Sequence, residues 1–388
     1  MKPAGALDRD ADAVVVGSGP AGALSAALLA RAGLRVDLVE KASFPRETVC
    51  GEFVSGEGVA VLRRLGVLDR LEPLAAVESV RLHAVSGRVA SAPFPEVAGE
   101  RALAIARGAL DAALRDVAVE SGARLLAETR VTSCLRDASG SVAGVEALSS
   151  AGERLRIRAP LTVGADGKTS VVARETGALA TGGAPEKWAG FAAHLPRPRG
   201  AEPGALDLYF FPGGYGGVVA LDAATVNVCG LADARALPRE RDARSLFRST
   251  FLANPAARER FADTEPPARW RTTGALPLGR RAASGPGFVL VGDAAGMIDP
   301  FTGDGIAMAL AGAEILSAAV AASRLAGDFP RGAGRRYARA ARAEFSRRRL
   351  TSRLLRVAAK LPRLGDAAIA LGSRSAPVLD AWIRWTRG

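Results

Sequence analysis

Val14-Val15-Val16-Gly17-Ser18-Gly19-Pro20-Ala21-Gly22 is the stretch of sequence that decides the fold. A short β-branched run ends in three glycines, and an alanine- and leucine-rich segment with helical character, 22–32, follows. Gly17 permits a tight turn from strand to helix, Gly19 lets backbone approach a phosphate, and Gly22 lets the helix pack on the strand. Amide groups at the start of the helix favour an anion there. The predicted phosphate-binding residues are Gly17, Ser18, Gly19, Pro20, Ala21 and Gly22.

A second strand is predicted for the alternating run Leu34–Glu40. The run ends in an acid, Glu40, which lies 18 residues after Gly22. A carboxylate at the end of the second strand can accept hydrogen bonds from both hydroxyls of a ribose. Glu40 and the adjacent Lys41 are therefore candidate nucleotide-binding residues.

Two further glycine-rich segments follow apolar runs: Val163-Gly164-Ala165-Asp166-Gly167 and Phe288–Gly296. In the later segment Asp293 is placed at a strand end, where its carboxylate can bind a ribityl hydroxyl. The segment 300–306 then opens a long apolar helix, whose first amides suit the N1–C2=O edge of a reduced flavin. Three such segments in this order predict FAD, held in an extended conformation. The candidate residues are Asp166, Gly167, Gly292, Asp293, Pro300, Gly303, Asp304, Gly305 and Ile306.

The rest of the chain predicts a discontinuous domain organisation. Helical spacing of apolar residues is present over Arg107–Gly122, whereas strand-like stretches separated by proline and glycine predominate between 182 and 284. Short strands separated by proline and glycine favour an antiparallel sheet over further βαβ units. The predicted parts are a nucleotide-binding domain formed by 1–75, 100–181 and 285–330, a sheet domain formed by 76–99 and 182–284, and a basic helical segment over 331–388.

Composition excludes several classes of protein. The 388 residues include three widely spaced cysteines and two distant histidines, so neither a disulfide framework nor a metal site is expected. Asp8, Asp10 and Asp12 precede the first apolar run, which argues against a signal peptide. We find no apolar run that approaches the roughly 18 residues of a membrane span. A cytoplasmic location is therefore expected.

Positive charge is concentrated at the end of the chain. Residues 331–388 contain fifteen basic and three acidic side chains, which equals the whole net charge of +12. Because no nucleic-acid-binding motif accompanies this charge, no nucleic-acid partner is expected. Leucines at helical spacing lie beside arginines over 353–364, and Trp382 and Trp385 bracket Arg384. Two alternatives fit this pattern: peripheral contact with an anionic membrane, or a helix packed on the sheet domain with its arginines in water.

The chain resembles the FAD-dependent enzymes of the aromatic-hydroxylase (group A flavin monooxygenase) and geranylgeranyl-reductase group, which also includes flavin-dependent halogenases. The resemblance covers about residues 12–330. It implies an α/β fold of the glutathione-reductase and p-hydroxybenzoate-hydroxylase type, with a three-layer Rossmann-like domain, an antiparallel sheet over the flavin and C-terminal helices. It also implies NADPH or NADH as electron donor, with Asp166 and Gly167 involved in its use. Further positions that it implies at the cofactor are Arg46, Cys50, Gly51, Arg107 and the backbone of Val131.

Departures from the group's motifs bear on function. Cys50-Gly51-Glu52 resembles a stretch near the flavin in geranylgeranyl-reductase-like members, but the halogenase motif Trp-x-Trp-x-Ile-Pro is absent. Prenyl reductases often carry Tyr-x-Trp-x-Phe-Pro, whereas the corresponding segment here, 213–220, retains only Tyr215. The loss of the large Trp and Phe side chains leaves room for a different substrate.

We therefore expect an NAD(P)H-dependent FAD monooxygenase of a small aromatic, polyketide-like or other lipophilic metabolite, acting through a flavin C4a-hydroperoxide. The alternatives are a reductase or dehydrogenase of carbon–carbon double bonds, a halogenase, and a flavin-binding partner without turnover. Tyr215, Cys50 and His194 are weak catalytic candidates. Each has a structural alternative, as a packed sheet tyrosine, a small buried cysteine and a strand histidine turned away from the pocket.

Overall fold

The structure is a computed structural model that describes residues 7–71, 75–178, 188–198, 200–233, 243–265, 270–274, 276, 281–298, 300–359 and 362–387. Its strands are β1 (Leu7–Asp10), β2 (Ala13–Val16), β3 (Val36–Val39), β4 (Phe53–Val54), β5 (Ala76–Val77), β6 (Ser79–His83), β7 (Val89–Pro93), β8 (Ala102–Ala104), β9 (Arg124–Leu126), β10 (Thr129–Arg136), β11 (Val142–Ser149), β12 (Arg154–Arg158), β13 (Leu161–Gly164), β14 (Trp188–Pro196), β15 (Ala205–Phe211), β16 (Gly214–Ala220), β17 (Thr225–Asp233), β18 (Arg271–Thr273), β19 (Ser284–Gly285) and β20 (Phe288–Leu290). Its α-helices are α1 (Pro20–Arg31), α2 (Gly56–Arg64), α3 (Arg107–Glu120), α4 (Val171–Glu175), α5 (Ala243–Ser249), α6 (Pro255–Arg260), α7 (Gly305–Leu325), α8 (Arg331–Ala359), α9 (Pro362–Arg374) and α10 (Ala376–Arg387).

A parallel sheet of order β20-β13-β2-β3-β9 lies at the centre, with β19 antiparallel at one edge. Successive side chains of a strand face opposite sides of the sheet. Ala13 and Val15 of β2 therefore pack in a core with α1, α3 and α7, whereas Val14 and Val16 pack against the sheet β1-β12-β11-β10. Helices, parallel sheet and second sheet make three layers, and the predicted α/β fold class is confirmed.

Turns divide the runs 124–135 and 145–158 so that each contributes to two strands. The run 124–135 forms β9 of the parallel sheet and β10 of the outer sheet, separated at Glu128, whose φ is +50°. The run 145–158 likewise becomes β11 and β12, joined by a turn at Gly152 with φ +84°. In each case a residue in the left-handed region lies in the turn that separates the two strands.

The large sheet, of order β18-β14-β17-β16-β15-β6-β7, is antiparallel except for the pair β6–β15. One face is covered by buried aromatic side chains, among them Phe247, Phe251 and Phe261 from the segment after β17. The opposite face carries Tyr215 and packs against Phe301 of the loop before α7. This opposite face, called the site-facing face below, comprises Tyr215, Gly217, Asn227, Cys229 and His194, which share a side by strand register.

A buried ion cluster fixes α6 to the large sheet. Asp207 accepts hydrogen bonds from Arg81 and from Arg260, each 2.7 Å long. A third contact, also of 2.7 Å, joins its carboxylate to His83 Nε2. Burial alone would raise the pKa of Asp207, but the His83 and Arg81 hydrogen bonds, with the charge of Arg260, lower it to about 2. His83 also stacks on Tyr209, with ring centroids 4.2 Å apart. His83 is therefore committed to the structure of the sheet.

The predicted basic segment 331–388 divides between the two parts of the protein. Tyr337 and Phe345 of α8 are buried in the helical core of the nucleotide-binding layer. Ile369 and Leu379, from α9 and α10, are instead buried against the large sheet near β7. The side chains of 353–365 and of Trp385 lie outside the described residues, so the membrane-contact alternative stays a prediction, as do the predicted domain boundaries, several of which also fall outside.

Helix α7 corrects one expectation from the sequence. By length and composition Gly305–Leu325 is apolar enough to cross a membrane, with 56% of the relevant window buried inside the protein. It packs on α1 and α8. The helix does not stand out as an uninterrupted apolar run because Glu314 divides it. The cytoplasmic location stays a prediction.

Candidate cofactor and substrate site

The first glycine-rich turn has the steric constraints that the sequence predicts. Gly17 has φ +93°, and a Cβ built there would lie 2.7 Å from the carbonyl oxygen of Ala165. A Cβ at Gly22 would overlap the carbonyl oxygen of Gly17, so only glycine lets α1 approach β2 this closely. Gly19 is the N-cap of α1, and Pro20 is its first residue. The arrangement leaves the amides at the start of α1 available for an anion.

Glu40 lies immediately after β3 and is 2% exposed. Its Oε2 accepts hydrogen bonds from Ser18 N (2.8 Å) and Arg46 Nη1 (3.0 Å), and its Oε1 accepts one from Ala42 N (2.9 Å). These contacts hold the carboxylate beside the first turn, where the sequence places it. Lys41 follows as an exposed side chain.

The sequence analysis missed Asp111, which is fully buried in α3. Asp111 accepts hydrogen bonds from Arg46 Nη2 (2.9 Å) and Arg107 Nε (3.1 Å) and so joins the two arginines that the resemblance implies at the cofactor. Arg107 and Asp111 are four residues apart on one helix, a spacing that brings side chains together. This spacing is the signal in the sequence from which the pair could have been predicted.

Val131 lies close to Glu40, because the backbone of β10 is hydrogen-bonded to the end of β3. Thr129 N donates to Glu40 O (2.8 Å), so the start of β10 lies beside the end of β3. Val131 follows two residues later, at an irregularity in the pairing of β10 with β11. Glu40, Arg46 and Val131 therefore border one region, and the sequence assigns that region to adenosine.

Asp166 and Gly167 follow β13 and lie against the first turn. A Cβ at Gly17 would be 2.8 Å from Asp166 Cα. Asp166 Oδ2 accepts a hydrogen bond from Val171 N (2.6 Å), whereas Oδ1 is buried and has no hydrogen-bond partner within the described part of the chain. Burial raises the pKa of Asp166. Gly167 has φ +76°, as a tight turn requires.

Asp293 lies in a short 3-10 turn directly after β20, as the sequence predicts. Its side chain is exposed, but the surrounding protein raises its pKa by desolvation, against the opposing charges of Arg107, Lys168 and Arg281. Arg281 ties the neighbouring loops together by donating to Lys168 O (2.7 Å) and Ala294 O (3.2 Å). Asp293 is therefore an accessible carboxylate at the floor of an enclosed, cationic cleft.

The loop before α7 closes the other end of this cleft. Pro300 begins a 3-10 turn, Gly303 has φ +69°, and α7 starts at Gly305 with Ile306 buried behind it. A Cβ at Gly303 would lie 2.8 Å from Phe53 Cδ1. The loop 300–305 and the segment 50–53 are therefore in contact. Together they form what we call the ring end of the cleft. Asp304 is the buried N-cap residue of α7.

The three weak catalytic candidates all lie at the ring end. Tyr215 meets Phe301 edge to face, with ring centroids 4.9 Å apart. Cys50 lies against the large sheet, where Asn227 Nδ2 donates a hydrogen bond to Cys50 O (2.9 Å). His194 Nε2 lies 2.6 Å from Glu52 Oε2. The structure thus brings together three candidates from distant parts of the chain.

The residues present fit FAD. Gly17 and Gly22 let the start of α1 pack closely on β2 and on the end of β13, and Gly303 lets the loop before α7 lie against Phe53. Asp293 offers an accessible carboxylate in the middle of the cleft. Glu40 would hold the adenosine ribose and Asp293 the ribityl chain, while the loop 300–305 would lie along the flavin. These residue roles remain predictions.

The whole chain was compared with known proteins. Residues 10–328 match the family described as FAD binding domain. The chain is 30% identical over 317 residues to the menaquinone reductase of Mycolicibacterium smegmatis, covering 77% of this chain and 74% of that protein. It is 32% identical over 327 residues to the digeranylgeranylglycerophospholipid reductase of Methanothrix thermoacetophila, covering 82% and 79% of the two chains.

A solved structure shows the same fold over nearly the whole chain. A geranylgeranyl bacteriochlorophyll reductase-like protein from Thermoplasma acidophilum superimposes with a TM-score of 0.80 over 97% of this chain and 96% of that one, at 21% identity. At this identity the likeness concerns the fold alone. The resemblance inferred from the sequence motifs is confirmed.

Proposed function

The chain belongs to the FAD binding domain family and is an FAD-dependent oxidoreductase; from that premise we propose that it reduces a carbon–carbon double bond of an isoprenoid lipid. This is the alternative that the sequence analysis kept beside a monooxygenase. Two relatives that match over about three quarters of their length or more are named as reductases, one of menaquinone and one of a digeranylgeranyl lipid.

One observation carries the proposal: the ring end of the cleft is walled mainly by apolar and aromatic side chains. Tyr215 and Leu231 from the large sheet pack with Phe301 and Met297 from the loops after β20, and Phe210 joins them. Such a surface suits an isoprenoid chain, because burial of apolar area is favourable and demands no directional partner. A double bond in that chain would then lie beside the predicted position of the flavin ring.

The residues of the chain divide the remaining work. When bound, reduced FAD supplies a hydride equivalent, and NADPH or NADH is the proposed source of its electrons. Glu40 and Asp293 orient the cofactor, and the amides at the start of α7 stabilise negative charge on the ring. The site-facing face of the large sheet covers the ring end, and its apolar side chains around Tyr215 and Phe301 limit the access of water there.

Anaerobic turnover tests the proposal. The purified flavoprotein is reduced with dithionite under argon and mixed with detergent-solubilised menaquinone-9 or with a digeranylgeranylglycerophospholipid. We expect the flavin absorbance to return at a rate that depends on the lipid. After any quinol has been reoxidised in air, tandem mass spectrometry should place two added hydrogen atoms in the isoprenoid chain, and hydrogen added to the quinone ring alone would overturn the proposal. A flavin that stays reduced with both lipids would overturn the proposal. NAD(P)H-dependent oxygen consumption that rises with an aromatic substrate, with an added oxygen atom in the product, would support the monooxygenase expectation instead.

A further inference from the structure

We propose that His194 is the catalytic acid of this reduction and that Glu52 positions it; the inference rests on the proposed function. The substrate double bond needs two hydrogens, a hydride on one carbon and a proton on the other. The π bond breaks as two C–H bonds form, the flavin-derived hydride supplies both electrons, and the His194 imidazolium supplies the proton. The reduced flavin is oxidised, the imidazole becomes neutral, and water reprotonates it through its exposed edge.

The contact between the two side chains has the geometry of an oriented acid. His194 Nε2 and Glu52 Oε2 are 2.6 Å apart, the distance of a charge-assisted hydrogen bond. The Glu52 side chain is 1% exposed, whereas that of His194 is 39% exposed. The carboxylate is thus anchored inside the protein, and the ring that it holds remains accessible to substrate and to water.

Glu52 is itself held in place from several sides. Its Oε1 accepts a hydrogen bond from Arg107 N (3.0 Å) at the start of α3, and its carbonyl oxygen accepts one from Ile105 N (2.8 Å). Its φ of +54° is a left-handed conformation that costs a non-glycine residue free energy. A costly backbone conformation that turns a buried carboxylate toward a half-exposed imidazole is typical of a functional site.

The pair lies at the ring end of the cleft. Glu52 is followed by Phe53, which contacts Gly303 of the loop before α7. His194 is paired in register with Asn227, and the Asn227 side chain holds the backbone of Cys50. The complete sequence contains two histidines, and the other, His83, is buried with Asp207. His194 is therefore the imidazole placed for chemistry at this end.

Several charged and titratable groups face the pair. Arg271 Nη1 of β18 lies 4.0 Å from Glu52 Oε1. Asp222 is a second carboxylate near the His194 ring. Hydrogen bonds from the amides of Ala224 and Thr225 lower the pKa of Asp222, and the charge of His194 makes a smaller contribution. Cys50 lies two residues before Glu52 and close to Cys229. Burial raises the pKa of Cys229 to about 12, so the Cys229 thiol stays neutral. The Arg107 guanidinium is directed to Asp111 and Cys50.

Two kinds of measurement test the pair. In proton NMR the His194 ring N–H that is hydrogen-bonded to the Glu52 carboxylate should give a downfield signal, and in Glu52→Gln this signal should move upfield or be lost to exchange with water, because a charge-assisted hydrogen bond has been removed. The His83 signal serves as an internal control and should not move. Asp222→Asn is a matched control that removes a carboxylate without a hydrogen bond to the ring, and its shift should be smaller. An unchanged His194 N–H signal in Glu52→Gln would overturn the proposal.

The second measurement is the pH profile of anaerobic lipid reduction. Wild-type rates should fall as the pH rises, because the proposed acid acts in its protonated form, and Glu52→Gln should lower kcat with little change in the KM for the lipid. His194→Asn should be slower by about 100-fold or more and lose this limb, with unchanged FAD content and flavin reduction rate. A purely structural contact would instead lower FAD content and leave the profile in place, which would overturn the assignment.

Failure of the proposed function has a different signature. If wild-type protein does not reduce the double bond at any pH, the proposed function fails and this inference fails with it. If wild-type protein reduces it and His194→Asn does so equally fast with the same pH profile, only the role of His194 is refuted.

Discussion

Gly216 and Gly217 are neighbours on β16, and their substitution by alanine should have opposite consequences. At Gly216 a Cβ would lie 2.6 Å from Phe251 Cδ2, on the aromatic side of the large sheet. Phe251 is fully buried and stacks on Phe247 with centroids 5.1 Å apart, so it has little space to move. At Gly217 the nearest atoms, Leu208 Cδ2 and Cys229 Sγ, would be 3.5 and 3.7 Å away, which is ordinary van der Waals contact.

The magnitudes follow from these distances. Overpacking at Gly216 should cost about 1–3 kcal/mol of the free energy of unfolding, which lowers Tm by roughly 1–4 °C in a chain of this length. Gly217→Ala should leave Tm unchanged or raise it by about 1 °C, because alanine restricts the unfolded chain. Gly217 belongs to the site-facing face, so its added methyl should raise the KM for the lipid several-fold, roughly the effect of 1 kcal/mol. Gly216→Ala should leave KM unchanged.

The assay combines thermal unfolding with the anaerobic kinetics of each variant, at a temperature where both are folded. FAD content is measured in parallel to separate loss of cofactor from loss of substrate affinity. Equal changes of KM in the two variants, or a lower Tm for Gly217→Ala than for Gly216→Ala, would refute the assignment of the two faces.

Three further predictions concern single side chains. Asp293→Ala should weaken FAD binding by about 10- to 100-fold, because a charged hydrogen-bond acceptor is lost, and fluorescence titration with normal affinity would count against its place in the cleft. Asp207, with a pKa lowered to about 2 from 3.8, contributes about 2 kcal/mol of stability above pH 4 that is lost as the pH falls from about 4 to about 2. Urea unfolding of Asp207→Asn should lack this pH dependence, and a wild-type-like acid profile would contradict it. Cys229, whose pKa is raised to about 12 by burial, should react with iodoacetamide at pH 8 on the order of 1000-fold more slowly than free cysteine, as peptide mass spectrometry can determine.

The parts of the site that the sequence predicted are those that depend on backbone geometry near one motif. Gly17 and Gly22 are constrained by atoms a few residues away or on the adjacent strand, so a local pattern carries the information. The same is true of Asp293, which follows a strand end directly. The steric need for glycine at a strand-to-helix turn does not depend on the rest of the fold.

The pairings that the sequence did not predict join distant segments through side chains. Glu52 and His194 are separated by 142 positions, and their contact depends on how the large sheet lies over the segment 50–53. No periodicity in either segment specifies that placement, because strand patterns report a buried face and not its partner. The contacts of Asp111 are of both kinds. Its spacing of four residues from Arg107 is visible in the sequence, whereas its contact with the distant Arg46 depends on the fold.

The function expected first from the sequence, a monooxygenase, rested on departures from motifs and not on contacts. The loss of bulky residues over 213–220 indicates space at Gly217, and space does not distinguish oxygen transfer from hydride transfer. The apolar wall of the ring end carries the proposal of a reductase, and the named reductases among the relatives support it. NADPH or NADH as electron donor stays a prediction.

The central claim is that one extended FAD spans the three glycine-rich segments, with its ring beneath the large sheet. Diffraction from crystals grown with FAD tests it most directly. We predict density for the adenosine ribose within hydrogen-bond distance of Glu40, for the ribityl chain at Asp293, and for the ring between the loop 300–305 and His194. Density for the ring outside the space between that loop and the site-facing face, or an adenosine remote from Glu40, would contradict the claim.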